Sequence, residues 1–217
     1  MKVFIIGAAG KVGLRLAEKL AHGGHEVQAL HRGAEQSTKL SAVGAKPILG
    51  DLTLLSAQKL GRLMKSADAV VFTAGAGGAG MDVTNAIDGR GLELAVAAAQ
   101  ASGVSRFLLV SSYPDAWRDR ERSEGFENYI RVKKLADAHL VASGLDWVIV
   151  RPGTLSDEPG TGLVAADVAI PYGTVPRDDV AATLAAIIHQ PKLSRVILEL
   201  TSGDEPISSA IARVATR

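Results

Sequence analysis

Cysteine is absent from the chain. That excludes disulfides, thiolate metal sites and cysteine nucleophiles outright. An excess of charge of either sign is missing too. The 24 Lys and Arg residues stand against 23 Asp and Glu, so no broad field attracts nucleic acid or an anionic membrane. No apolar run approaches the length of a membrane span, and the N-terminal one stops at Gly7, too short for a signal-peptide core. A soluble, cytoplasmic protein is expected, with neither nucleic acid nor membrane as partner. The five histidines, His22, His25, His31, His139 and His189, form no metal-ligand spacing, and no metal site is expected. What remains is a chain of 217 residues, 47% hydrophobic and 22% charged, enough for one domain over residues 1–217 with a sizeable core.

The stretch that organises the rest is the first twenty residues. Met1 to Ile6 reads as a short buried strand. Gly7-Ala8-Ala9-Gly10-Lys11-Val12-Gly13 follows as a glycine-rich turn into the helical pattern Leu14 to Leu20. A helix start leaves backbone N–H groups unpaired at the positive end of its dipole, and side chains beyond Cβ would keep a pyrophosphate from reaching them. Gly7 then allows the tight turn, Gly10 the close approach and Gly13 the packing of helix on strand. The segment Gly7, Ala9, Gly10, Lys11, Val12 and Gly13 is therefore the candidate phosphate cradle.

Strand and helix alternate from there onward. Strands are expected at Glu26–Leu30, Lys46–Leu49, Ala67–Phe72, Val104–Val110, the stretch from Gly144 to Val150, and Arg195–Leu200. Helices are expected over Leu54–Lys65, Thr84–Ala101, Glu127–Ser143, from Arg177 to His189 with an aspartate as cap, and at the C-terminus. This alternation predicts an α/β, doubly wound parallel sheet with helices on both faces. In such a sheet ligands bind beyond the carboxyl ends of the strands. His31-Arg32-Gly33 falls where the adenosine ribose is read. An arginine there suits a 2′-phosphate rather than a free hydroxyl, and so NADP over NAD, unless it is a solvated loop residue. Gly50-Asp51-Leu52 falls near the adenine edge, with Asp51 equally readable as a helix cap. Ala74 and Gly75 open a second glycine-rich loop, whose Gly77–Gly80 portion also reads as a flexible linker. Pro152 stops a strand where a nicotinamide would sit. Residues 154–176, short apolar runs among Gly and Pro, are expected to form a small segment over the substrate.

Two further features concern catalysis. Tyr129 and Lys133 are four residues apart on the expected helix and so share a face. A phenol ordinarily releases its proton near pH ~10, and a neighbouring ammonium favours the phenolate. Ser111-Ser112 closes the strand just upstream. The run from Pro114 to Arg122, dense in both charges, is expected to be a solvated loop or short helix over the site, with Trp117 lying over a ligand or an interface.

The motifs Gly7-x-x-Gly10-x-x-Gly13, Gly50-Asp51-Leu52, Val110-Ser111-Ser112, Tyr129-x-x-x-Lys133, Ser143-Gly144-Leu145-Asp146 through Arg151-Pro152-Gly153, and Arg177-Asp178-Asp179-Val180-Ala181 together resemble the atypical short-chain dehydrogenase/reductases. The likeness covers nearly the whole chain. It lies nearest the small NAD-dependent epimerase/dehydratase-like proteins, NmrA-like sensors and flavin or biliverdin B reductases. The resemblance implies a Rossmann fold with a nicotinamide dinucleotide on the sheet edge. It further implies that Tyr129 exchanges a proton with a substrate carbonyl or alcohol, that Lys133 holds the nicotinamide ribose, and that Ser111 or Ser112 orients the substrate oxygen. Sugar-nucleotide enzymes of the wider family carry a much larger C-terminal substrate domain than residues 154–175 provide. Three functions stay open. They are an NADP(H)-dependent oxidoreductase for a small carbonyl, quinone or flavin, a dinucleotide sensor with a protein partner and no chemistry, and a sugar epimerase or dehydratase.

Overall fold

The computed structural model describes residues 1–118 and 121–216. Its first strand, β1 (Lys2–Ile6), buries both faces, and the side chains divide by parity. Val3 and Ile5 enter one hydrophobic cluster, and Phe4 and Ile6 enter the other, as the two-residue repeat of a strand requires. The same division runs through β2 (Glu26–His31), β4 (Ala69–Phe72), β5 (Arg106–Val110) and β6 (Asp146–Pro152). A sheet apolar on both faces must be covered on both. α1 (Lys11–His22), α7 (Arg177–Ile188) and α8 (Ile207–Val214) cover one side; α3 (Ala57–Leu63), α5 (Leu92–Ser102) and α6 (Glu124–Val141) cover the other.

With β3 (Lys46–Leu49), β8 (Leu163–Asp167), β10 (Val196–Ser202) and β11 (Glu205–Pro206), the strands form one sheet in the order β11-β8-β10-β6-β5-β4-β1-β2-β3. β3 through β10 run parallel, and β8 and β11 are antiparallel additions at one edge. The order reverses between β1 and β4, which opens a crevice at their carboxyl ends. The expected doubly wound parallel sheet is therefore present. No helix of the described residues is long and apolar enough to cross a membrane.

Several local expectations are corrected. A seven-residue helix, α2 (Gln36–Ala42), lies between β2 and β3; only Leu40 is buried on it, so it carries no apolar periodicity to reveal it. The helix after β3 begins at Ala57, not Leu54, whose side chain is 81% exposed. Its cap is Ser56, which accepts from the Lys59 amide at 3.3 Å. Asp51 turns inward on its own loop instead, accepting from the Thr53 amide at 2.8 Å and hydroxyl at 2.7 Å. Pro176 precedes α7, and no aspartate caps it. Asp179 reaches out of its first turn to hold the amides of Thr161 and Gly162, each at 2.9 Å.

The helix expected from Thr84 starts earlier, as α4 (Met81–Thr84). It passes through a π-wound stretch, Asn85–Gly91, before α5. Residues 154–176 form β7 (Thr154–Ser156), paired in parallel with β9 (Thr174–Pro176), and β8, which joins the main sheet beside β10. The charged run is anchored rather than freely solvated, since Tyr113 and Ala116 are buried with Ile130. Its Asp119 and Arg120 lie outside the described residues. Trp117 stacks on Phe126 at 4.5 Å between ring centroids.

Candidate functional site

The turn between β1 and α1 is shaped by what its residues lack. Gly7 has φ +82°, and a Cβ there would fall 2.5 Å from the Ala74 backbone. A Cβ at Gly13 would fall 2.5 Å from the Gly7 carbonyl and 2.7 Å from the Thr73 hydroxyl. Both positions are closed by protein. Gly10 differs, because a Cβ would meet only the Gly7 carbonyl, at 3.1 Å, and would otherwise project into open space. No side chain caps α1 and no acid sits in its first turn, so the positive end of its dipole is left unneutralised. Thr73 buttresses the turn by donating to the Ile6 carbonyl at 3.0 Å or the Gly7 carbonyl at 3.2 Å.

A groove of about 470 Å³ runs from this turn along the sheet edge. Gly7, Ala9, Gly10, Arg32, Asp51, Leu52, Ala74 and Gly75 line it, as expected. Thr73 and Ala76 of the same glycine-rich loop line it too, and Val83 and Ile87, which sequence reasoning passed over, complete it. The Thr53 hydrogen bonds, with Arg32 nearby and against the effect of burial, hold the Asp51 carboxyl below the usual carboxylate range. Val12 and Gly13 are not among the lining side chains; Val12 is buried in the core, where it holds α1 in place. Lys11 is not among the residues that line the groove and ion-pairs with Asp157 at 2.5 Å; Asp157 also meets Arg177 at 2.9 Å.

At the far end of the crevice stands Lys133, 3% exposed. Its ammonium donates to the Val110 carbonyl at 2.9 Å, at the very end of β5, and faces Asp88 at 3.4 Å. Burial works to strip its proton, but Tyr129, Asp88 and Asp137 outweigh burial and hold its titration above the ordinary lysine range. Asp137, one turn further along α6, is engaged by the Arg151 guanidinium at 3.0 and 2.8 Å. Tyr129, Lys133 and Asp137 thus follow one stripe of α6 at four-residue intervals. Ser111, the residue after Val110, donates its amide to the Val150 carbonyl at 2.7 Å. The hydroxyls of Ser111 and Ser112 are buried with no hydrogen-bond partner among the described residues. Buried hydroxyls ordinarily have partners, so these two are available to a ligand. Pro152 ends β6 in register with Leu200 of β10, and is buried.

Asp88 was missed in the sequence. Its signal is an acid followed by glycine inside an otherwise alanine-rich helix.

The family profile for NAD(P)H-binding proteins matches residues 7–191. The chain belongs to the NAD(P)H-binding family. This NAD(P)H-binding chain is 38% identical over 216 residues to a Bacillus subtilis protein named uncharacterized sugar epimerase YhfK, covering 99% of this chain and all of that one. A Bacillus halodurans protein with the provisional name NAD-dependent epimerase/dehydratase superimposes with a TM-score of 0.89 at 34% identity, over 98% of this chain and 99% of its own. ChuY of Escherichia coli O157:H7, described as an anaerobillin reductase, superimposes with a TM-score of 0.80 at 28% identity, over 94% and 98%. The resemblance to the atypical short-chain dehydrogenase/reductases is borne out, and with it a dinucleotide as the ligand of the family domain.

Proposed function

We propose that the chain is an NADP(H)-dependent oxidoreductase that reduces a small or flat carbonyl, quinone or flavin in the cytoplasm. The observation that carries this reading is the buried Lys133 ammonium, held at the tip of β5 between Asp88 and Tyr129 and next to the unpartnered Ser111 and Ser112 hydroxyls. A nicotinamide dinucleotide fits the residues present. The open side of Gly10 and the uncapped start of α1 suit its pyrophosphate, and the exposed Arg32 on the groove suits a 2′-phosphate.

When bound, the nicotinamide supplies the hydride. The protein supplies alignment and a proton. Ser111 and Ser112 donate to the acceptor's oxygen and polarise it, a role their hydroxyls, buried without a partner among the described residues, support. Tyr129 delivers the proton to that oxygen, and the Lys133 charge stabilises the phenolate left behind. Tyr113 is unsuited to that role. Burial, together with the Glu199 carboxylate and Tyr172, pushes its phenol far above the ordinary range, so it stays protonated. Its hydroxyl is turned to the Ile170 carbonyl at 3.3 Å.

The flat substrate is supported by the distribution of aromatics. Phe4, Phe72, Phe107 and Trp147 lie in the sheet's core. Tyr113, Trp117, Phe126, Tyr129 and Tyr172 gather in one corner, linked by ring contacts of 4.5 to 6.0 Å. Residues 154–176 close that corner, with the Tyr172 hydroxyl 2.6 Å from the Thr154 hydroxyl. Relatives named for epimerases favour a second reading, in which the same site acts on a sugar; the short strands of residues 154–176 leave little room for a sugar nucleotide.

The test is turnover of NADPH with a panel of carbonyls, quinones, flavins and sugar nucleotides, comparing wild type with Tyr129→Phe. The expected result is reduction of a flat acceptor that falls about 100-fold or more in the variant while NADPH affinity holds. Turnover unchanged by the substitution would remove Tyr129 from its role. NADPH bound without any turnover would point to a sensor with a protein partner.

A further inference from the structure

Between β8 and β9 the chain crosses residues 168–173 without regular structure, yet it is pinned at its start, its end and its middle. At the start the Val168 amide donates to the Asp167 carboxylate at 2.8 Å, and at the end the Gly173 carbonyl accepts from the Thr154 amide at 2.9 Å. A Cβ on Gly153 would collide with that same carbonyl, so the turn after Pro152 lies directly against the end of the loop. The middle is held at one residue, Ile170. Its amide donates to Glu199 Oε2 at 2.9 Å, and its carbonyl accepts from the Tyr113 hydroxyl at 3.3 Å. Glu199 comes from β10 and Tyr113 from the exit of β5. A loop with no ladder of its own is thus clamped to the sheet through both backbone groups of a single residue.

Two residues beyond the clamp stands Tyr172, 39% exposed. Its ring meets the buried Tyr113 ring edge to face, with centroids 5.2 Å apart and planes at 74°, and its hydroxyl bonds to that of Thr154. Ile170 packs on the cluster of Tyr113, Ala116 and Ile130, and Tyr129 packs on the same cluster. The clamp therefore holds Tyr172 over the corner in which Tyr129 works. A part-exposed aromatic ring offers a planar ligand an offset or edge-on contact.

We infer that Tyr172 is the specificity-determining wall for a planar acceptor, and that Glu199 and Tyr113 are positioning residues that fix it there by clamping Ile170. This rests on the oxidoreductase reading above and deepens it: the corner selects an aromatic or quinone ring system over a carbonyl that lacks one. Neither Glu199 nor Tyr113 needs to touch the acceptor, because both act through Ile170. The Tyr113 phenol suits this work, since burial and the Glu199 carboxylate keep it protonated and therefore a donor.

The test sets acceptor kinetics beside amide exchange. With NADPH in excess, KM and kcat are measured for menadione and FMN as planar acceptors and for cyclohexanone as a puckered carbonyl. Tyr172→Ala is expected to raise KM for the planar acceptors about tenfold, with a smaller change in kcat, and KM for cyclohexanone less than about twofold. Tyr172→Phe keeps the ring and should stay within about twofold of wild type. Glu199→Ala should raise the same KM, Glu199→Gln should restore it by keeping an acceptor for the Ile170 amide, and Tyr172→Ala with Glu199→Ala should be no worse than Tyr172→Ala alone. An unchanged KM in Tyr172→Ala, an equal rise for cyclohexanone, or losses that multiply would each overturn the inference. Amide exchange at Ile170 in the free protein should be slow in wild type and about tenfold or more faster in Glu199→Ala. Equal rates would also overturn it.

Should Glu199→Ala fail to fold, Tyr113→Phe removes the donor to Ile170 and keeps the ring. It is expected to raise KM for the planar acceptors and to speed Ile170 exchange, each about threefold, and no change in either would contradict the clamp. If wild type reduced no acceptor, the oxidoreductase reading would fall on its own, and calorimetric titration of FMN would decide the wall. Binding about tenfold weaker in Tyr172→Ala than in wild type would support it; equal affinity, or no binding to wild type, would overturn it.

Discussion

The two ends of the crevice are built on opposite terms. The phosphate cradle works by subtraction. Gly7 and Gly13 are shut against Ala74, Thr73 and their own turn, Gly10 is left bare, and α1 begins without a capping side chain. The catalytic corner works by addition. Lys133, Asp88, Asp137 and Arg151 bury charge beside charge, and Tyr129 gathers with four other aromatic side chains. An end made of absent side chains tolerates little added volume. An end made of paired charges tolerates the loss of neither partner. Substitutions that add bulk at the first and remove charge at the second therefore probe the comparison directly.

The largest effect is expected at the corner. Lys133→Met leaves Asp88 without its counter-ion at 2% exposure. Truncating one partner of a buried pair costs about 3–5 kcal/mol, to be read from urea denaturation. A loss below about 1 kcal/mol would mean that the pair is not held as the geometry shows. Next comes Gly13→Val, whose added carbons meet the Gly7 carbonyl and the Thr73 hydroxyl. Overpacking of this kind costs about 1–3 kcal/mol, and a variant as stable as wild type would show that the turn has slack. The smallest effect belongs to Arg32→Gln. Arg32 is an exposed side chain on the groove wall, and the substitution should weaken NADPH about tenfold while leaving NADH unchanged, as loss of one charge-assisted phosphate contact predicts. Equal effects on both dinucleotides would take the 2′-phosphate away from Arg32.

The contrast also explains what could be read before the structure. The cradle is local, since its glycines lie within one turn between an apolar strand and an amphipathic helix, and each confirms the others. The parallel sheet was legible for the same reason, because strands apolar on both faces announce themselves one by one. Tyr129 and Lys133 were legible as neighbours on a helix. Asp88 was not, because its partner Lys133 is 45 residues away and its own helix reads as an alanine-rich packing element. α2 escaped notice with Leu40 its only buried residue. Asp51 and Asp178-Asp179 looked like helix caps, yet Ser56 caps α3, and the carboxylates of Asp51 and Asp179 bind loop amides instead. Lys11 sits inside the glycine motif, but its side chain faces Asp157, since residue type and position do not fix where a long side chain turns.

The central claim is that the bare turn after β1 seats a dinucleotide pyrophosphate, and Gly10→Val tests it most directly. Its backbone, at φ −71° and ψ 164°, lies in the β region open to any L-residue, and its Cβ meets only one carbonyl oxygen. The Gly7 carbonyl must yield by a few tenths of an ångström, so the chain should fold with a melting temperature lowered by about a few degrees at most when no ligand is present. Calorimetric titration with NADPH should then show binding in wild type and at least about a hundredfold weaker binding in the variant, as expected where bulk blocks the anion from the helix N-terminus. Equal affinity in the two proteins, or no binding to wild type at millimolar NADPH and NADH, would contradict the account.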